Sequence, residues 1–126
     1  MKVIQIIVLV LTILLLDFIG LGYVLNQHWN KQILSVQKSK MNINFYTALF
    51  SYLFLIIGLV VFVQPKVTTD FDCFYYGCMY ALVVYGVFDM TNMTIFENYT
   101  LESSVKDIIW GMFVCSIGLY FSNLIK

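Results

Sequence analysis

Three aspartates lie in or beside long apolar stretches of this chain, at positions 17, 89 and 107. An ionisable side chain in such a setting is costly unless it faces other helices and finds polar partners there. Helical spacing places two further polar residues on the face of Asp89 and an indole on the face of Asp107. The candidate polar cluster comprises six residues: Asp17, Tyr85, Asp89, Asn92, Asp107 and Trp110.

These residue types allow three kinds of chemistry. The carboxyls could hold helices together by hydrogen bonds, and Asp107 could also complement the N-terminal dipole of its helix. They could instead form a site for a proton, a cation or a polar ligand. Catalysis has the weakest support, because no serine-nucleophile motif, glycine-rich phosphate loop or zinc motif occurs.

The metal-ligating and nucleophilic residues give no pattern of their own. His28 is the single histidine, and no second ligand stands at a spacing typical of a metal site or a catalytic triad. The cysteines at 73, 78 and 115 match no zinc or redox motif, so we predict buried thiols, with a disulfide between Cys73 and Cys78 as the alternative. We therefore expect no catalytic residue, no metal and no cofactor.

Composition indicates a membrane as the solvent. The 126 residues are 61% hydrophobic and only 11% charged, and their mean hydropathy is +0.88. A soluble domain of this length could not bury so much apolar surface. The net charge is zero and arginine is absent, which argues against binding of nucleic acid.

The apolar stretches predict one all-α domain over residues 1–126, an integral membrane, antiparallel bundle of four transmembrane helices. The predicted spans cover about 3–25, 43–63, 71–90 and 105–124. A signal peptide is the alternative for the first. The connector 26–42 is expected to be a loop, with a short surface helix as the alternative. Alternating directions would bring the three aspartates to one end of the bundle, which we term the polar end.

Three short motifs resemble a known family. Residues 16–22 (LDFIGLG), 85–92 (YGVFDMTN) and 107–111 (DIIWG) are similar, in order and spacing, to landmarks of the domain of unknown function 2177 family of small four-helix membrane proteins. The resemblance implies the fold and the membrane location but no activity. Gly20 stands in place of a Trp, Phe88 in place of a Tyr, and Tyr99-Thr100 in place of Trp-Pro. Loss of a hydroxyl at Phe88 would remove a partner from the polar cluster.

The function expected from these features is a non-enzymatic structural or interaction component of a membrane. Its partners would be the lipid bilayer and other membrane or capsid proteins, with no nucleic acid. The absence of arginine and the abundance of Ile, Phe, Tyr and Asn indicate an AT-rich genome, such as that of a low-GC bacterium or a large DNA virus with an internal virion membrane. The alternative is a small transporter, or a protein that binds a proton or polar ligand through the aspartates.

Overall fold

The computed structural model describes residues 1–125 and is all-helical over that range. Four of its helical segments are long and apolar enough to cross a membrane, which confirms the predicted class. The α-helices are α1 (Val3–Ile19), α2 (Asn26–Gln37), α3 (Phe45–Gly58), α4 (Asp70–Ile95) and α5 (Leu101–Asn123). Wider π-helical turns extend α1 over Gly20–Val24 and α3 over Leu59–Val63, and a 3-10 turn follows at Gln64–Lys66.

Capping residues set helix ends that the hydropathy pattern placed differently. Thr69 starts α4, because its hydroxyl accepts from the Asp72 amide and the Asp72 carboxylate bonds back to the Thr69 amide. Thr100 starts α5 by accepting from the Ser103 amide at 3.1 Å. Helix α5 therefore begins at Leu101 and not at 105, and α4 continues to Ile95 and not only to 90. Both predicted ends were wrong by about one helical turn, because the polar residues there are also typical of a loop.

The connector after the first span is a helix, which was the alternative prediction, and not the expected loop. Residues Asn26–Gln37 form α2, which ends where Lys38 adopts a left-handed backbone with φ of 62°. Its only buried side chain is that of Gln32. A polar side chain therefore occupies the most buried position of α2.

The bundle core lies between α1, α4 and α5. Helices α4 and α5 pack closely along their length, and α1 packs on α5. Leu9, Ile13, Val114 and Cys115 are fully buried between them. Gly118 allows α1 to approach, because a Cβ atom there would lie 3.0 Å from Ile13. Small residues at helix contacts are typical of membrane bundles.

The thiols take part in this packing. Cys73 and Cys115 are buried, as predicted, whereas Cys78 is only partly buried. The Cys73 sulfur lies 3.8 Å from the Thr69 carbonyl oxygen, whereas the Cys78 sulfur lies 3.2 Å from the Ser116 hydroxyl. Cys73 and Cys78, the alternative disulfide pair, thus each contact another residue in this structure.

The second membrane span is packed at one end and open at the other. Leu59 and Val63, near its C-terminal end, are buried. Phe45 and Tyr46, at its N-terminal end, remain 82% and 79% exposed. Between α1 and the N-terminal half of α3 lies an apolar cavity of about 350 Å³.

Candidate functional site

Asp17 joins three membrane-spanning helices. Its carboxylate is 7% exposed and accepts two hydrogen bonds from neighbouring spans. The Tyr52 hydroxyl of α3 donates to Oδ2 at 2.7 Å, and the Trp110 indole of α5 donates to Oδ1 at 2.9 Å. Both oxygens of the carboxylate therefore have partners, as a buried polar group requires.

The contact with Trp110 depends on a glycine one turn further along the first span. A Cβ atom at Gly20 would lie 2.1 Å from the Trp110 ring, so the indole lies directly across the backbone at this point. The π-helical turn begins at the same residue, where the Leu25 amide bonds to the Gly20 carbonyl at 2.7 Å. The Gly20 that departs from the family pattern is therefore the residue that leaves space for Trp110 to reach Asp17.

Asp89 is fully buried and is held by a residue outside the spans. The Tyr99 hydroxyl, in the loop between α4 and α5, donates to its Oδ1 at 2.6 Å. Asn92 also lies within reach of that hydroxyl. Burial, followed by the hydrogen bond to Asp89, raises the pKa of Tyr99, so its hydroxyl keeps the proton that it donates.

The second oxygen of Asp89 has a different environment. Oδ2 is inaccessible to solvent and has no hydrogen-bond partner among residues 1–125. The half-buried carboxyl of Asp107, on α5, faces Asp89 closely enough for the two groups to interact directly. We term Asp89 and Asp107 the carboxyl pair.

The six residues of the predicted cluster are thus divided between two centres. Asp17 and Trp110 form one, and the carboxyl pair with Asn92 forms the other. Tyr85 lies between the centres, within electrostatic range of Asp17 and Asp107, and its ring packs where a Cβ atom of Gly111 would be 2.5 Å away. All three aspartates stand six or seven residues inside their spans, roughly 10 Å from the polar end at the α-helical rise.

One expectation about this region was wrong. Phe88 is 56% exposed, because it precedes the fully buried Asp89 and points away from the bundle. A hydroxyl at position 88 would therefore not reach the cluster. Within residues 1–125, no three acidic, His or Cys side chains are grouped so that they could hold a metal ion.

Sequence reasoning missed Tyr52, Tyr99 and Gln32. Tyr52 is a polar-tipped residue inside a predicted span, and Tyr99 stands at a family departure, so each offered a weak signal. Gln32 offered none. Its side-chain oxygen accepts from the Thr100 amide at 3.2 Å and from the Ser103 hydroxyl, and its amide donates to the Asn98 carbonyl at 2.8 Å. Gln32 therefore attaches α2 to the start of α5 at the polar end.

Replacing Gln32 with leucine is expected to release α2. The substitution removes every hydrogen bond that its side chain makes and leaves buried groups of the α5 cap without partners. Backbone amides of residues 26–37 should then exchange with deuterium at least tenfold faster in nanodiscs. The matched control is Gln27→Leu, which alters an exposed glutamine of the same helix. Equal exchange in the two variants would contradict the role assigned to Gln32.

The attachment of α2 should also weaken in acid. The His28 ring lies 2.8 Å from the Ser103 hydroxyl through Nε2, and its Nδ1 lies 3.3 Å from Lys106 Nζ. Burial and then the charge of Lys106 lower the pKa of His28, with Glu102 acting in the opposite sense. A lowered pKa means that the unfolded state binds the proton more readily. The stabilisation that neutral His28 gives to the attachment is therefore present above about pH 6.5 and is lost as the pH falls.

Hydrogen-exchange protection factors of the α2 amides should therefore be lower below that pH than above it. His28→Asn should remove most of this pH dependence, because the variant has no titrating ring. Lys106→Met should shift the midpoint towards higher pH, because the repelling charge is gone. If His28→Asn kept the pH dependence of the protection factors, or if Lys106→Met left the midpoint of that transition unchanged, another group would control the attachment.

Comparison with known proteins gives a family and no closer relative. A family model described as "Predicted membrane protein (DUF2177)" matches residues 2–123. No curated protein and no solved structure matches the chain.

Proposed function

Because this chain belongs to the DUF2177 family of predicted membrane proteins, we propose that it is a non-enzymatic interaction component of a membrane. In this proposal it receives an apolar transmembrane helix of a partner membrane protein. The observation that carries the proposal is the apolar cavity between α1 and α3. An interaction role is the function that an incompletely packed span supports best.

The cavity has the shape of a groove between two helices. Three aliphatic side chains of α1 form one wall, and four side chains of α3 form the other. The lining residues are Val10, Ile13, Leu14, Leu49, Tyr52, Leu53 and Ile56. On each helix they recur at helical spacing, so each wall is a stripe parallel to the helix axis.

The width of the groove is fixed by a hydrogen bond. Tyr52 lines the groove, and its hydroxyl is bound to Asp17 on the opposite helix. Helices associate in membranes mainly through close van der Waals packing. A groove whose walls are joined by this hydrogen bond favours the ordered side chains of a helix over mobile lipid tails.

The rim of the groove carries aromatic side chains. Phe45, Tyr46 and Phe54 are between 68% and 82% exposed on α3. Aromatic residues are enriched at protein interfaces, because they bury much area with little loss of conformational freedom. The exposed face of α3 thus supports a contact larger than the groove itself.

The proposed setting is a membrane of a low-GC bacterium or the internal membrane of a large DNA virus. Seven lysines with no arginine support an AT-rich genome. In the viral case the partners would include membrane or capsid proteins of the virion. Proteomics of purified virus particles tests the viral location, and recovery of the protein only from host membranes would contradict that location.

Site-specific photo-crosslinking tests the partner helix. A photoreactive benzoylphenylalanine in place of Leu53 lies in the groove, and one in place of Val83 lies on the exposed face of α4. The groove probe should join one membrane protein in the native membrane, and the α4 probe should not. Leu49→Trp, which fills the groove, should reduce that product at least fivefold. Crosslinks to lipid alone, or a product that Leu49→Trp leaves unchanged, would overturn the proposal.

A further inference from the structure

We propose that the carboxyl pair Asp89–Asp107 binds one exchangeable proton, which lies between Asp89 Oδ2 and the Asp107 carboxyl. The proposal concerns a ligand site and is independent of the partner helix. It divides the three intramembrane aspartates by role, because Asp17 has partners for both oxygens whereas Asp89 has a partner for one.

The unpartnered oxygen is the first observation. Asp89 is 0% exposed, and its Oδ2 accepts no hydrogen bond from residues 1–125. A buried oxygen of this kind is costly unless it has a donor. A proton on Asp107 would turn the facing carboxyl into that donor.

The second observation is that no cation among residues 1–125 is in position to neutralise the pair. The groups that face the pair are Asp17 from α1, Tyr85 and Asn92 from α4, and Tyr99 from the loop. Lys106 precedes Asp107 in sequence, but its ammonium is bound to Glu102 at 2.9 Å and lies 3.3 Å from His28 Nδ1. Two adjacent carboxylates in a medium of low dielectric constant cannot both stay ionised without a cation, so one of them holds a proton.

The site is open towards the polar end and closed towards the other end. Asp107 is half-buried and stands six residues from the start of α5, so it can exchange its proton with water there. Beyond the aspartates, Ile13, Val114, Cys115 and Leu119 form a buried apolar layer. The geometry therefore gives a proton-binding site facing one side of the membrane, in contrast to a path through it.

The balance of the step is simple. Hydronium transfers its proton to the doubly charged pair, which becomes singly charged, and water is released. The Asp107 carboxylic acid then donates to Asp89 Oδ2, while Tyr99 continues to donate to Oδ1. Loss of the proton at higher pH restores two facing negative charges on α4 and α5.

Infrared difference spectroscopy of the protein in nanodiscs tests the proposal. At neutral pH the wild type should show the C=O band of one protonated carboxyl. That band should shift in heavy water and disappear as the pH is raised. Asp107→Asn should abolish it, since the new amide can donate to Asp89 Oδ2 and leave Asp89 ionised with its fold intact. Asp89→Asn should abolish it as well, because Asp107 then faces no second carboxylate and ionises. The amide oxygen at position 89 can still accept from Tyr99, which preserves the fold.

Asp17→Asn is the control and should retain the band. The proposal is overturned if the wild type has no such band at neutral pH, or if the band does not shift in heavy water. It is also overturned if Asp17→Asn alone removes the band, or if Asp107→Asn leaves it in place. Should Asp89→Asn fail to fold, the Asp107→Asn result decides.

Discussion

Replacing Asp17 with alanine is expected to lower the free energy of unfolding by about 2 kcal/mol, because two interhelical hydrogen bonds are lost and each is worth roughly 0.6 to 1.7 kcal/mol in a membrane. The substitution also leaves the Tyr52 hydroxyl and the Trp110 indole without their acceptor. Titration of the folded protein with a denaturing detergent, followed by circular dichroism, measures the change.

A variant of Tyr52 measures the share of one of these hydrogen bonds, and a variant of Tyr23 is its control. Tyr52→Phe removes one donor and keeps the volume of the ring, so it should cost about 1 kcal/mol. Tyr23→Phe removes the hydroxyl of a tyrosine that is 73% exposed near the end of the same span as Asp17, and it should cost nothing measurable. If Asp17→Ala adds no loss to the Tyr23→Phe background, or if both tyrosine variants cost the same, the assigned role of Asp17 is wrong.

The number of spans could be predicted from the sequence because lipid imposes one simple rule. Every backbone polar group in the hydrocarbon must be bonded within its own segment, so a long apolar stretch becomes a helix. Antiparallel order then fixes which helix ends meet. Asp17, Asp89 and Asp107 could be assigned to one end on this ground alone, and the structure places all three at similar depth.

The division of the cluster into two centres could not be predicted. Spacing shows which residues share a face of one helix, but it does not give the rotation of that helix relative to its neighbours. Tyr52 illustrates the limit. A tyrosine in an apolar span can face lipid or another helix, and only the packed structure shows that its hydroxyl meets Asp17.

The helix α2 was only the alternative prediction, for a related reason. Residues 26–37 are mostly polar, so a loop was expected, although Trp29, Ile33 and Val36 share one helix face and are partly buried. Gln32 stabilises the helix by bonding to residues that are more than sixty positions away in the chain. Such a long-range contact leaves no local trace in the sequence, in contrast to the capping threonines of α4 and α5.

Two kinds of contact join the helices. Side-chain hydrogen bonds connect separate elements at the polar end, where Asp17, Asp89 and Gln32 lie. Away from that end, Gly77 brings α4 close to the backbone of α5. The contact at Gly77 should therefore be sensitive to the size of the residue.

Replacing Gly77 with leucine is expected to lower the free energy of unfolding by about 3 kcal/mol, at the upper end of the usual cost of overpacking. A Cβ atom at this position would lie 2.9 Å from the Cα atom of Ser116 on α5. Because the obstructing atom belongs to the backbone, no side-chain rotation can relieve the clash. Helices α4 and α5 must therefore separate, and the same detergent titration measures the loss.

Gly86→Leu is the matched control, since it makes the identical change in the same helix. A Cβ atom at Gly86 would have no neighbour within 4 Å, so the larger side chain extends into open space. Its free energy of unfolding should stay within about 1 kcal/mol of the wild type, the size of the helix-propensity difference between glycine and leucine. Gly77→Ala should fall between the two leucine variants. If Gly77→Leu and Gly86→Leu were equally stable, α4 and α5 would not be held by the close backbone contact at Gly77, and the packing described for the core would have to be revised.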